Sequence, residues 1–415
     1  MRSRSVLSIV VIILFLLDLY VFQAVKTVVS HHHLRLRLAI LIAYWIIALA
    51  CWILVLTMPN WHITEGHGNF KFILITIILG IYIGKLLASV FFLIDDLRRG
   101  GIWIFSLFQH KPVISPPEII HGISRSKFLS RVGLLAGGGL FATLVYGFSN
   151  KYNYKIRRIN LSFSNLPPAF KGLKIVQVSD IHSGSFDNDE KVRRGVDMIK
   201  NEKPDVIFFT GDLVNNRSEE IKDYQELFGS LQAPMGVFAI LGNHDYGDYV
   251  HWESKEAKAA NLEQLKKTEA EMGWKMLNNA HTLLEKNDQK IAVIGVENWS
   301  AKARFPKYGD LKKAYAGTEN IPFKILLSHD PSHWDAQVLP DYPDIDLMLA
   351  GHTHGMQFGI EIPGIKWSPV QYAYKEWAGL YKENEQYLYI NRGFGFLGYP
   401  GRVGILPEIT VITLG

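Results

Sequence analysis

The run Lys174-Ile175-Val176-Gln177-Val178-Ser179, followed at once by Asp180-Ile181-His182, decides how the rest of the chain is read. An apolar, β-branched run closed by polar residues reads as a buried strand ending in a loop. Four more segments repeat the pattern. Val206 to Thr210 leads into Gly211-Asp212, and Val237 to Leu241 into Gly242-Asn243-His244-Asp245. Ile325 to Leu327 leads into Ser328-His329-Asp330, and Ile345 to Ala350 into Gly351-His352-Thr353-His354. In α/β sheets, ligands collect beyond the carboxyl ends of the strands. Five such ends bring carboxylate, imidazole and amide oxygen to one rim, a donor set suited to Mn, Fe or Zn. The glycines before Asp212, Asn243 and His352 allow tight turns, so that these side chains can converge. One such stretch alone is more often a cap or a surface loop; five in order are not.

In this order the blocks D-x-H, G-D, G-N-H-D, H and G-H-x-H resemble the calcineurin-like metallophosphoesterase superfamily, over about residues 172–415. The resemblance is to a bacterial membrane-associated branch with an N-terminal multi-span region. It implies a four-layer αββα sandwich and two divalent ions, Mn, Fe or Zn, clamping an in-line displacement at phosphorus. One ion would be held by Asp180, His182, Asp212 and His354. The other would be held by Asp212, Asn243, His329 and His352, with Asp212 bridging. His244 is then the catalytic histidine, which contacts the phosphate and protonates the leaving oxygen. Asp245 would orient His244 or its loop. A catalytically silent metal-binding scaffold, or an accessory domain of a membrane protein, is the alternative. Such a chain is expected to have lost a ligand or the histidine, and none is missing here.

The first 150 residues differ in composition from the rest, although hydrophobic residues average 48% over the chain. Long apolar runs cover residues 6–29, 36–58, 70–94 and 128–148. Each approaches or exceeds the ~20 residues that span a bilayer. The division expected is a transmembrane helical bundle over 1–150 and an α/β metallophosphoesterase domain over 151–415. Asp18 and Lys85 fall mid-span, where a charge costs about 2.5–3.5 kcal/mol. Pairing across the first and third helices answers that cost; separate solvation in a polar bundle interior answers it equally well. Residues 95–127 read as a mixed connection, with Ile102-Trp103-Ile104-Phe105 in the interface plane and Trp61 as an interfacial anchor. Ser124-Arg125-Ser126-Lys127-Phe128-Leu129 is similar to a twin-arginine export signal, but carries one arginine where that signal has two. Lys and Arg are slightly denser in the first and third loops. The positive-inside rule then places the catalytic domain outside the cytoplasm, on a bacterial plasma membrane.

The net charge of +5 reads as loop lysine and arginine. No basic stripe with interleaved aromatics occurs, so no nucleic acid partner is expected. A single cysteine, Cys51, excludes an internal disulfide and a CxxC zinc site. In the second half, helices are expected at 189–201, 218–231 (capped by Ser218) and 253–272, with a hairpin turning at Asn287-Asp288. Arg392 and Arg402 stand in glycine-bearing loops and are candidates for contact with a substrate anion. A tie within the loop is the plainer reading of each. Trp299, Phe305, Trp367, Tyr372, Tyr374 and Trp377 either floor a cleft or pack a core. The expected function is a membrane-anchored, dinuclear-metal-dependent phosphoesterase. Its partners are the lipid bilayer and a phosphate mono- or diester, such as a phospholipid or cell-envelope precursor. A transporter reading finds no repeat among the spans to support it.

Overall fold

A computed structural model describes residues 2–57, 68–108 and 125–415. They form two compact units, Met1–Tyr146 and Gly147–Gly415. The expected span end at residue 58, the anchor Trp61, Ser124 and the part of the mixed connection over 109–124 lie outside the described residues.

The first unit consists of α1 (Arg2–Val29), α2 (Leu34–Thr57), α3 (Gly68–Phe108) and α4 (Arg125–Gly147). Each contains a segment long and apolar enough to cross a membrane. Ile13, Ile46 and Leu86 point outward, at 58%, 62% and 61% exposure, which suits an acyl-chain environment rather than water. Asp18 is buried and paired with Lys85, so the two mid-span charges meet. The pair is not isolated. Tyr82 Oη donates to Asp18 at 2.8 Å and Trp52 Nε1 at 2.9 Å, while Tyr44 Oη donates at 3.3 Å. Where α3 crosses α4, Gly84 meets Gly137. A Cβ on Gly137 would lie 2.2 Å from the Gly84 carbonyl oxygen, so the approach requires glycine.

Residues 95–108 do not form a separate interfacial piece, because α3 continues through them as a single helix. Arg98 pairs with Asp95 one turn back, and Arg99 with Asp95 and Asp96, so the charged turn is held in helical register.

The second unit begins with β1 (Lys155–Leu161), β2 (Lys174–Val178), α5 (Asp189–Asn201) and β3 (Val206–Phe209). There follow α6 (Gln225–Gly229), β4 (Val237–Ala239), α7 (Lys255–Glu271), β5 (Trp274–Met276), β6 (Ala280–Lys286) and β7 (Gln289–Gly295). Next come α8 (Leu311–Tyr315), β8 (Lys324–Leu327), α9 (Leu339–Asp341) and β9 (Leu347–Ala350). The small hairpin β10 (Ile360–Ile362) and β11 (Ile365–Trp367) precedes β12 (Gly379–Glu383), β13 (Gln386–Ile390) and β14 (Glu408–Leu414).

Two six-stranded sheets result, ordered β1-β14-β2-β3-β4-β5 and β12-β13-β9-β8-β7-β6. Ile175, Phe208 and Phe238 of the first pack on Val293, Ile325 and Leu349 of the second. Val192 and Val196 of α5 and Leu265 of α7 cover the outer face of the first sheet. Leu311 and Ala314 of α8, with Trp334, cover the outer face of the second. This is the four-layer αββα sandwich expected from the sequence. Strands β3 and β9 are covered on both faces, which is why they read as unbroken apolar runs; β8 does so after Lys324, and β2 buries the polar Gln177.

Local details differ from the sequence reading. Ser218–Tyr224 is a 3₁₀ turn rather than the start of a long α-helix, and Arg217, not Ser218, precedes it. Glu220 turns back to accept from the N–H groups of Asn215 and Arg217, and the Ser218 N–H donates to Asn261. The third helix is capped by Ser254, whose hydroxyl accepts from the Ala257 N–H at 3.1 Å. The short strands β5, β10, β11 and β12 carry too little periodicity to be read.

Candidate metal centre

Strands β2, β3 and β4 run parallel in one sheet, and β8 and β9 run parallel in the other. Their carboxyl ends open on the same rim, and each sequence-singled stretch sits there. The backbone at the rim is bent hard. Asp180, His182, Asp212, His352 and His354 have φ of 52°, 49°, 61°, 72° and 51°. Non-glycine residues in that region cost on the order of 1–3 kcal/mol each and persist where the surroundings impose them. A Cβ on Gly351 would meet Ser179 Oγ at 2.0 Å and Asp180 Oδ2 at 2.3 Å, so the chain passes there only as glycine.

The donor atoms converge. His354 Nε2 lies 3.2 Å from Asp180 Oδ1 and 3.1 Å from His182 Nε2. Asp212 Oδ2 stands between the two groups of ligands, 3.5 Å from His182 Nε2 and 3.1 Å from His329 Nε2. His352 Nδ1 and Asn243 Oδ1 are 2.7 Å apart. His329 Nδ1 donates to the Thr210 carbonyl at 2.7 Å, which leaves Nε2 with its lone pair inward. That Nε2 is buried with no hydrogen-bond partner. His182 is oriented the same way by Asn215 Oδ1, 3.1 Å from its Nδ1. Lone pairs of imidazole and carboxylate facing one another in a buried place are a donor set that a cation satisfies.

The electrostatics agree. Burial opposes charge on Asp180 and Asp212, yet the surrounding histidines hold both carboxyls well below the usual range. Burial likewise opposes charge on His329, but Asp212 and Asp180 outweigh it and hold the ring up at about 10, so Nε2 carries a proton toward Asp212 unless a cation takes its lone pair. Burial pushes His182 down to about 3. The two buried carboxylates thus draw positive charge onto whatever sits between them.

His244 lines the cleft beside these groups. Its Nδ1–H donates to the Asn215 carbonyl at 2.7 Å, and its backbone N–H donates to Asp212 Oδ1 at 2.8 Å. Asp245 does not touch the His244 ring. Its carboxylate accepts from the N–H groups of Asp212, Leu213 and Gly242, each at 2.8 Å, and of Val214 at 3.3 Å. It therefore fixes the two loops that carry Asp212 and Asn243. Burial and the Asp212 charge push the Asp245 carboxyl up to about 7, against the pull of those donors.

Arg392 and Arg402 stand apart from the cleft. Both are buried, at 2% and 0% exposure, and neither lines the cleft. Arg392 is paired with Glu408 at 2.5 Å and Glu361 at 2.6 Å. Arg402 donates to the carbonyls of Arg392, Gly393 and Gly395, and its Nη2 lies 3.3 Å from His354 Nδ1. The arginine at the cleft is Arg304, exposed and with its guanidinium 4.4 Å over the Phe305 ring.

The cleft holds about 670 Å³. Of the aromatics, Phe305 and Tyr374 line it, and Tyr374 Oη is 2.8 Å from His352 Nε2. Trp299 instead stacks on His333, and Trp377 is buried. Asn215 and Tyr249 were not found from sequence. Asn215 stands three residues after Asp212 and orients both His182 and His244. Tyr249 accepts from Asn243 Nδ2 at 2.8 Å, its ring 4.6 Å from that of His244.

Fold and rim together define a class, the metal-dependent phosphoester hydrolases built on paired sheets. The chain belongs to the calcineurin-like phosphoesterase family. Residues 173–356 match the family "Calcineurin-like phosphoesterase", and residues 2–151 match "Probable Calcineurin-like phosphoesterase, transmembrane domain". The chain is 32% identical over 302 residues to the uncharacterized metallophosphoesterase YkuE of Bacillus subtilis, covering 70% of this chain and 98% of that one. It is 31% identical to a transmembrane protein with metallophosphoesterase domain of Danio rerio, covering 65% of this chain and 60% of that one. It is 29% identical to the UDP-2,3-diacylglucosamine pyrophosphatase LpxG of Chlamydia trachomatis, covering 61% of this chain and 88% of that one.

Proposed function

We propose that the protein is a membrane-anchored phosphoesterase that works with two divalent ions and hydrolyses a lipid-linked phosphate mono- or diester. The observation that carries the dinuclear reading is Asp212 Oδ2, set between His182 Nε2 and His329 Nε2 at 3.5 and 3.1 Å. One ion is assigned to Asp180, His182, Asp212 and His354, the other to Asp212, Asn243, His329 and His352. When bound, such a pair supplies Lewis acidity at the phosphoryl oxygens and activates water near neutral pH.

The chain's own residues do the rest. The Asn215 carbonyl takes the His244 Nδ1–H, so the proton that His244 gives the leaving oxygen leaves from Nε2. Asp245 ties the Asp212 and Asn243 loops together and so fixes the spacing of the two ligand sets. Arg304 offers an exposed cation at the cleft for a further anionic group. Phe305, Val370 and Met356 give one wall an apolar character, which suits an amphiphilic ester. A lipid substrate is also in keeping with the likeness to LpxG, whose name places it on a diacylated sugar nucleotide.

The test uses the full chain in detergent, stripped of metal by chelation and then supplied with Mn. Turnover of an aryl phosphate monoester and an aryl phosphodiester should return with Mn. Asp212→Asn should lose metal and turnover together. His244→Ala should keep the metal and lose about 10²–10⁴-fold in rate. Full metal uptake without turnover of either ester by the parent protein would favour the silent-scaffold reading.

A further inference from the structure

The hairpin β10–β11 is inside out for a protein surface. Its register pairs Ile360 with Trp367, Glu361 with Lys366, and Ile362 with Ile365. Residues alternate between faces along a strand, so the isoleucines and Trp367 share one face and the two charges the other. In water the charged face should turn outward. Here it turns toward the body of the unit, with Glu361 half-buried and Lys366, though exposed, reaching back along the unit's surface. Glu361 accepts from Arg157 and Arg392, each at 2.6 Å. Lys366 donates to the Ala378 carbonyl, and its ammonium lies 4.8 Å over the Trp377 ring. Ile360, Ile362 and Ile365 are left 48%, 57% and 53% exposed, flanked by Met356 at 57% and Tyr372 at 79%. A contiguous apolar surface of this kind on a folded unit marks something that covers it.

We infer that this face inserts into the bilayer surface beside the cleft, so that the enzyme takes an amphiphilic ester directly from the membrane. Two features identify the occupant as lipid. First, Gly147 closes α4, the last helix apolar enough to cross a membrane, and its carbonyl accepts from the Arg402 N–H at 2.9 Å. Val403, the next residue, donates to the Gln357 carbonyl at 2.8 Å and accepts from the Gly359 N–H at 2.9 Å, immediately before Ile360. Arg157, at the start of the unit, holds Glu361 of the hairpin itself. Within the second unit the hairpin therefore lies close to Gly147, the residue at which the chain enters that unit. Second, the apolar surface runs into the site, because Met356, Pro369 and Val370 also line the cleft that holds His244 and Asp212. Aromatic Trp367 and Tyr372, with rings at the hairpin's base, suit the headgroup level.

The experiment reads insertion without reference to catalysis. In a Cys51→Ala background, the full chain carries Ile362→Cys labelled with an NBD fluorophore, and a parallel sample carries Lys267→Cys on α7. Both are reconstituted in vesicles of phosphatidylcholine and phosphatidylglycerol, with and without brominated acyl chains. The label at 362 should be blue-shifted and quenched by the brominated lipid, and the label at 267 should be neither. Equal, water-like emission at both sites overturns the inference. So does a blue-shifted label at 362 that brominated lipid fails to quench, which would mean that a second copy of the chain covers the hairpin.

The consequence for turnover rests on the phosphoesterase reading and is measured separately. Ile362→Glu with Ile365→Glu should lower turnover of a bilayer-embedded phosphoester at least about tenfold, since two exposed isoleucines that would enter the bilayer are lost from the contact. Turnover of the soluble aryl ester should be unchanged. If the soluble ester falls equally, the hairpin supports the site and not the membrane contact. If neither ester is turned over by the parent chain, the function fails while the fluorescence result stands.

Discussion

Glu269 shows at the residue scale how little a helix pattern says about burial. It lies on α7, in a sequence rich in Lys, Glu and Ala that reads as a solvated face, yet it is fully buried and neither carboxylate oxygen has a hydrogen-bond partner. Burial, aided by the nearby Asp245 charge, holds its carboxyl well above the usual range. The folded state then binds a proton that the unfolded state releases. Stability from this group is present below the unfolded value of about 4.3 and is lost as pH rises above it. Glu269→Gln should therefore leave the melting temperature nearly unchanged at about pH 4 and raise it at about pH 8, measured by calorimetry. The two misplaced arginines make the same point. Arg392→Ala leaves Glu408 buried without its main cation and should cost about 3–5 kcal/mol in denaturant unfolding. The Michaelis constant for an aryl phosphate should not change. Arg304→Ala should do the reverse, leaving stability intact and raising that constant roughly three- to tenfold. The metal-ligand candidates were legible because each sits within a few residues of a strand end. The partners of Arg392 were not, because Glu361 and Glu408 arrive from a hairpin and from the last strand.

At the scale of elements, the strands that build the rim were readable and the pieces around them less so. Buried parallel strands show as apolar runs whatever their neighbours are. The turn after Arg217 and the long α3 depend instead on side chains meeting across space or across one helical turn. The Asp18–Lys85 pair joins α1 to α3, and its environment bears on the swap experiment that pairing suggests. Asp18 accepts from Trp52 and Tyr82 as well as from Lys85. A lysine at position 18 would face an indole N–H, which can only donate. Asp18→Lys and Lys85→Asp should each lower the temperature at which the detergent-solubilised chain aggregates. The double variant should recover only part of the loss. Full recovery would mean that the pair acts alone.

For the whole molecule, the open question with the largest consequence is which side of the membrane the second unit faces. The distribution of Lys and Arg in the loops favours a catalytic unit outside the cytoplasm. A Lys267→Cys variant in intact cells should then react with a membrane-impermeant maleimide without permeabilisation. Labelling only after permeabilisation would reverse the orientation. Sequence alone determined that the chain divides into an apolar helical part and an α/β part, and that five strand ends carry the residues of one rim. Those properties are local: hydropathy over some twenty residues, β-branched runs, and motifs of two to four residues. Tertiary structure decided what no local pattern encodes. It set Asp212 between two histidines from different sheets, buried Arg392 and Arg402 away from the cleft, and gave both His182 and His244 to Asn215. It also turned Glu361 of β10 inward, onto Arg157 and Arg392, and the hairpin's isoleucines out. Period-two alternation states that a hairpin has an apolar face, but only packing against Arg157, Arg392 and Trp377 decides which way that face points.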